Sequence, residues 1–159
     1  MKREEMGLII GSFSAKLDKS GRLKIPQKYR AAIEEQYGKD LFITSFEDEC
    51  IQIFPFQVWN EVTGASEKTK SFIHPNFQSF YRHAYSKGTP GEIDTKGRVL
   101  INQELREKAG LQAEVKVIGL NNYLEVWDKN RLKEQLEKKP LTFKDYEKVA
   151  ELMSDGKPK

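Results

Sequence analysis

The chain has 159 residues, 38% of them hydrophobic, 11% aromatic and 32% charged, and a formal net charge of +3. That length suits one compact domain or two intimately packed halves, with enough core to fold without disulfides or metals; the single cysteine, Cys50, excludes an internal disulfide framework and fits a reducing compartment. No apolar run approaches the ~18 residues that span a bilayer, and Met1 to Met6 lack the apolar region and cleavage site of a signal peptide, so a cytoplasmic location and no membrane partner are expected.

Taken in chain order, Phe13, Ala15 and Leu17 alternate with polar neighbours and predict a half-buried strand. Asp18 to Gly21 reads as a turn, because an Asp carboxylate can accept from backbone N–H groups two residues on and Gly admits a left-handed backbone. Leu23 and Ile25 continue as the return strand of a hairpin. Pro26 stops that strand and opens a helix over Gln27–Gln36 with Tyr29, Ala32 and Ile33 at helical spacing, ended by Gly38. Strands follow at 41–44 and 51–54. This first stretch also holds the charge. Residues 14–30 carry Lys16, Lys19, Arg22, Lys24, Lys28 and Arg30 against Asp18 alone, a net +5, whereas residues 31–93 are net −4 and residues 94–128 net −1. A focused basic patch is the footprint of a polyanion partner, although a solvated face reads the same way from charge alone.

The spacer is helical in pattern. Residues 56–63 carry Trp59 and Val62, a polar stretch runs from Gly64 to Lys70, and Pro75 opens a helix with Phe77, Phe80, Tyr81, Ala84 and Tyr85 on one face. Lys87-Gly88-Thr89-Pro90-Gly91 reads as a break. The first pattern then recurs at an offset of 76: Asp18, Gly21, Arg22, Ile25, Gln27 and Arg30 reappear as Asp94, Gly97, Arg98, Ile101, Gln103 and Arg106. The match runs on, with Leu41-Phe42-Ile43 paralleled by Val115 to Ile118 and Cys50 to Phe54 by Tyr123 to Trp127. Two copies of one unit (strand, turn, strand, short helix, strand, strand) argue against a solenoid and for a pseudo-symmetric pair. Asn102 replaces Pro26 and suits a helix N-cap; Gly110 closes that helix. Asn130–Lys138, with Leu132 and Leu136, and a helix capped by Thr142 and carrying Tyr146, Val149, Ala150 and Met153 complete the chain, with residues 154–159 as a frayed tail. The expected division is 8–55 first unit, 56–83 helical linker, 84–127 second unit and 128–153 C-terminal helices.

The Asp-x-x-Gly-Arg turn between aliphatic strands, present at Asp18–Arg22 and Asp94–Arg98 and followed both times by a strand pair, resembles the MraZ family of bacterial transcriptional regulators, within the wider AbrB-like group of swapped-hairpin proteins. The resemblance runs roughly from Gly7 to Leu152. It implies an α+β fold, mainly β with helices, in which two tandem hairpin units interleave into one pseudo-symmetric barrel. It also implies double-stranded promoter DNA as partner, a ring-shaped homo-oligomer, repeated promoter boxes, repression of the chain's own division and cell-wall gene cluster, and association with the nucleoid. No cofactor and no metal are expected.

On this reading Arg22 is the base-reading candidate with Lys19 beside it, and Lys16, Lys24, Lys28 and Arg30 are phosphate contacts. Arg98 and Lys96 extend the surface from the second turn, which holds less charge and leans structural. Asp18, Gly21, Asp94 and Gly97 build the turns. Trp59, Trp127, Phe54 and Tyr123 read as core or subunit interface in preference to stacking platforms. An enzyme is not expected: His74 and His83 have no partner at metal-ligand spacing, Cys50 sits in an apolar strand, and there is neither a phosphate loop nor a nucleophile elbow. The alternative functional readings are a ring-forming scaffold and an antitoxin-like interaction module without promoter-specific regulation.

Overall fold

The computed structural model describes residues 7–64 and 74–155; the polar stretch beyond Gly64 and the last residues of the tail lie outside them. The elements are β1 (Ile9–Lys16), β2 (Arg22–Lys24), α1 (Gln27–Tyr37), β3 (Asp40–Thr44), β4 (Ile51–Pro55), α2 (Phe56–Thr63), α3 (Pro75–Lys87), β5 (Thr89–Glu92), β6 (Arg98–Leu100), α4 (Gln103–Lys108), β7 (Glu114–Asn121), β8 (Leu124–Asp128), α5 (Lys129–Lys138) and α6 (Phe143–Asp155). The class is α+β, with antiparallel sheets throughout.

The six-stranded sheet runs β1-β7-β8-β4-β3-β5, and β2 pairs with β6 as a separate two-stranded ribbon. The order is a palindrome under exchange of the two repeats: β1 corresponds to β5, β7 to β3 and β8 to β4. The register obeys the same exchange. Phe13 faces Val117 and Ala15 faces Val115 on one flank, while Thr89 faces Ile43 and Gly91 faces Leu41 on the other. Ile51 faces Val126 and Leu124 faces Ile53 across the centre, with Gln52 opposite Glu125 on the pseudo-two-fold axis. The axis also passes through Leu23 and Val99 in the ribbon.

The pairing expectations are revised in two places. The strands on either side of the first turn do not form an extended hairpin with each other. They share only the Leu17–Leu23 bridge; β1 pairs with β7 of the other repeat in one layer and β2 with β6 in the other. The break around Thr89-Pro90-Gly91 is the edge strand β5, paired with β3. A proline is admissible there because an edge strand has one side without a ladder. The hydrogen-bonded sheets do not close into a continuous barrel; the ribbon lies as a second layer, tied in by bonds from Ile25 N–H to Gly97 O (3.0 Å) and Ile101 N–H to Gly21 O (2.8 Å).

One core fills the space between the layers and draws on both repeats. Leu23, Ile25, Tyr29, Ile33, Ile43, Ile53 and Ile93, Val99, Ile101, Leu105, Val117, Val126 are all buried within it. Burial of each large aliphatic side chain contributes about 1.5–3 kcal/mol. Tyr29 fastens the swapped pairing: its hydroxyl donates to Gly11 O in β1 and accepts from Gly119 N–H in β7 at 3.3 Å. A second cluster, Phe42, Phe54, Val58, Trp59 and Ala84, covers the outer face of the β3–β4 pair beneath α2 and α3. The aromatic face expected on α3 is only partly inward, since Ala84 is its one buried residue.

Candidate nucleic-acid interface

The ribbon is three residues long in each strand, so its alternation sorts only a few side chains. Leu23 and Val99 point into the core and are fully buried. Arg22 and Lys24 on β2 then share the outer face with Arg98 and Leu100 on β6, Arg22 opposite Leu100 and Lys24 opposite Arg98. Three cations and one exposed leucine therefore form an outward, two-stranded surface. On this face the pseudo-symmetry is broken at one place, where Leu100 occupies the position equivalent to Lys24.

Each turn flanks one end of the ribbon and is built from its own Asp. Asp18 Oδ1 accepts from Ser20 N–H (2.9 Å), Ser20 Oγ–H (2.7 Å) and Arg22 N–H (2.9 Å). Asp94 Oδ1 accepts from Lys96 N–H (2.8 Å) and Arg98 N–H (2.9 Å). These donors hold both carboxyls below the ordinary carboxylate value, with the Ser20 hydroxyl the largest influence on Asp18 and the Arg98 N–H the largest on Asp94. An aspartate kept ionised by its own turn is the reverse of the raised acid a paired-carboxylate mechanism requires. Gly21 and Gly97 lie at φ +91° and +79°, in the left-handed region.

The two arginines differ. Arg98 Nε sits 3.3 Å from Asp94 Oδ2, and its Nη1 lies 4.0 Å from Asp18 Oδ2 of the opposite turn. Arg22 makes no ion pair among the described residues and donates from Nη1 to Ser20 Oγ at 3.0 Å. The hydroxyl of Ser20 stands between Arg22 and the carboxylate, and Lys96 occupies that position in the second turn. Arg22 is thus held in place without being neutralised.

Of the basic residues singled out in the sequence, Arg22, Lys24 and Arg98 share the ribbon face, and Lys19 and Lys96 are exposed on the flanking turns. Lys16 is exposed at the end of β1, opposite Glu114. Lys28 lies apart, lining a shallow cavity with Leu8, Ile10 and Phe13 near the start of β1. Arg30 is engaged elsewhere: its Nε pairs with Glu34 at 3.3 Å and its Nη2 donates to Thr95 O at 3.2 Å, across the pseudo-axis. Its repeat counterpart Arg106, absent from the sequence-based candidates, donates from Nε to Ile101 O at 2.9 Å. Each of these arginines packs over the other unit's turn, Arg30 over Gly97 and Arg106 over Gly21. The recurrence of Arg30 at Arg106 was the available signal, and it marks a reciprocal brace.

Away from the ribbon, Cys50 is buried, and burial first, then the charge of Glu125, pushes its thiol well above the ordinary range. Trp59 and Phe54 are core, as expected, and Trp127 is buried. Among the described residues no group of three or more His, Cys, Asp or Glu side chains could hold a metal ion, and no helix is long and apolar enough to cross a membrane.

The geometry defines a pseudo-two-fold protein of interleaved strand–turn–strand units whose distinguishing surface is a basic ribbon. The family described as "MraZ protein, putative antitoxin-like" matches the chain twice in tandem, over residues 8–83 and 84–152. Relatives named Transcriptional regulator MraZ include those of Acidobacterium capsulatum (35% identical, covering 89% of this chain and 96% of the relative), Moorella thermoacetica (33%, covering 93% and 98%) and Nitrosomonas europaea (36%, covering 74% and 79%). The chain belongs to the MraZ family, a family of transcriptional regulators and not of enzymes.

Proposed function

We propose that the chain binds double-stranded DNA in a sequence-specific manner through the outer face of the β2–β6 ribbon and its two Asp-x-x-Gly-Arg turns. The observation that carries this reading is the co-facial set Arg22, Lys24 and Arg98 on a two-stranded ribbon. The major groove admits such a ribbon, and arginine paired to guanine O6 and N7 is the commonest specific contact, worth about 1–3 kcal/mol of discrimination. Arg22 reads bases; Lys19, Lys24 and Lys96 set register on phosphates; Arg98 contributes once it leaves Asp94. Lys16 adds a phosphate contact at the ribbon's margin. Arg30 and Arg106 act by holding the turns, and Lys28, which lines the cavity beside Leu8, Ile10 and Phe13, is left out of the surface.

So short a ribbon discriminates poorly alone. A ring of copies facing repeated promoter boxes multiplies modest affinities through effective concentration, which is why a homo-oligomer at the nucleoid and repression of the chain's own division and cell-wall gene cluster belong to the same proposal. A gel shift against the DNA upstream of the chain's own gene tests it, run at several salt concentrations. Arg22→Ala is expected to abolish specific binding with fold and assembly intact. Lys19→Ala is expected to weaken binding to all sequences and lower the salt slope by about 1. Wild-type binding by Arg22→Ala would reject the ribbon as the reading surface.

A further inference from the structure

The two repeats end differently. In the first, α3 folds back on its own unit: Ala84 is buried against Phe42 and Trp59, and Ala84 O accepts from Thr44 Oγ1 at 2.9 Å. In the second, α6 holds the corresponding place, after β8 and α5 as α3 follows β4 and α2, and has the same 13 residues. Yet every side chain from Lys139 to Ser154 is exposed. The helix is not a weak one, because Thr142 and Asp145 cap it reciprocally: Thr142 N–H donates to Asp145 Oδ2 at 2.8 Å and Asp145 N–H to Thr142 Oγ1 at 3.2 Å. Its Phe143, Tyr146, Val149 and Met153 recur at helical spacing and stand 77%, 61%, 42% and 66% exposed.

A complementary surface lies on the other repeat. Phe46, Phe77, Phe80 and Tyr85 form a half-exposed aromatic patch along α3, with Phe80 stacked 6.1 Å from Trp59 and tilted against Phe46 at 5.9 Å. Lys87 of α3 is taken up by Asp48 at 3.2 Å, which leaves Arg82 as the exposed cation of a helix with no acidic residue, whereas α6 carries Asp145, Glu147, Glu151 and Asp155 against Lys144 and Lys148. On a helical wheel Glu147 borders the apolar stripe of α6, with Glu151 beyond it 3.8 Å from Lys148, and Arg82 borders the Tyr85 edge of α3.

We infer that α6 of one copy docks its apolar stripe on the α3 aromatic patch of a second copy of this chain. The inference rests on the assembly part of the reading above and assigns its contact surfaces. Donor and acceptor are different surfaces on different repeats, so the contact is head-to-tail, and repetition gives a ring where the rotation closes. Apolar burial drives the contact and the acid–base edges set its register.

The test uses the full-length chain, with mass measured by size-exclusion chromatography and light scattering, and fold checked by circular dichroism and urea midpoint. The donor variant is Val149→Glu with Met153→Glu; the acceptor variant is Phe77→Glu with Arg82→Glu, and Phe77→Ser with Arg82→Glu serves if Phe77→Glu lowers the midpoint. Wild type is expected to run as a multiple of the chain mass and each variant as a single chain. An equimolar mixture of the two variants, each keeping one intact surface, is expected to give a dimer and nothing larger. A donor variant that keeps the wild-type mass, or an acceptor variant that dimerises by itself through α6, overturns the assignment while leaving assembly in place. A monomeric wild type overturns both this contact and the proposed ring, and the gel shift then still judges DNA binding separately.

Discussion

Three glycines with left-handed backbones allow the packing of the turns to be measured apart from their backbone conformation. Gly64, at φ +69°, has nothing within 4 Å of where a Cβ would stand. Alanine there meets only backbone strain, about 1–2 kcal/mol. Gly97, at φ +79°, would place that carbon 2.9 Å from Cδ and Nη1 of Arg30. A side chain can swing aside, at the loss of the Arg30 bond to Thr95 O, so the expected cost is about 2–3 kcal/mol. Gly21, at φ +91°, would place it 2.8 Å from Arg106 Cζ and 2.9 Å from Ile101 O. That carbonyl belongs to the chain end whose N–H donates to Gly21 O, so relief requires the ribbon end to open. Gly21→Ala is therefore expected to cost about 3–4 kcal/mol, lowering Tm by roughly 6–16 °C for a chain of this size. Urea unfolding of the three single variants gives the order Gly64, Gly97, Gly21. A Gly64→Ala variant as damaging as Gly21→Ala would show that conformation alone governs these positions and that the cross-unit packing of the turns contributes nothing.

Three further outcomes follow from the same structure. Tyr29→Phe removes the hydroxyl that links Gly11 O to Gly119 N–H and is expected to lower the urea-derived stability by about 1–3 kcal/mol; an unchanged midpoint would show the link to be dispensable. Because Asp18 and Asp94 titrate below their ordinary value of 3.8 in the folded chain, their contribution is complete above that pH and lost as pH falls through the depressed folded values. Asp18→Asn should accordingly flatten the acid limb of the stability profile, and a limb as steep as the wild type's would contradict it. Cys50, 5% exposed with its thiol raised by burial, should resist iodoacetamide at pH 8 in the native protein and react fully in urea; rapid native labelling would count against its burial.

Much of this architecture was written in the repeat. The offset that aligns Asp18 with Asp94 also aligns strands whose registers prove related by the pseudo-axis, and Asn102 caps α4 by accepting from Leu105 N–H at 2.9 Å, as its side chain suggested. Partner choice was not legible. Periodicity assigns a face to Phe13 and Ala15 but does not say which strand lies beside them, so a local hairpin was the natural reading until β7 took β1. β5 escaped because Pro90 and Gly91, the residues that usually break strands, are tolerable on an edge. For the interface, composition identified the basic stretch and could not separate Arg22, which faces outward beside Lys24, from Arg30, which reaches across to Thr95 O on the second turn. That distinction depends on the other repeat, which lies 65 residues away in sequence at that contact.

The exchange of strands also bears on how the molecule is made. Ile9 finds its ladder partner at Asn121, so during synthesis β1 emerges with no strand to pair until most of the chain has left the ribosome. At roughly 5–20 residues per second, that wait lasts several seconds, through which Ile9, Phe13 and Leu17 must be sheltered by transient contacts or chaperones. The first repeat is thus no early-folding module: its sheet is completed by the last strands translated, and truncations before Asn121 should leave the nascent chain open to proteolysis.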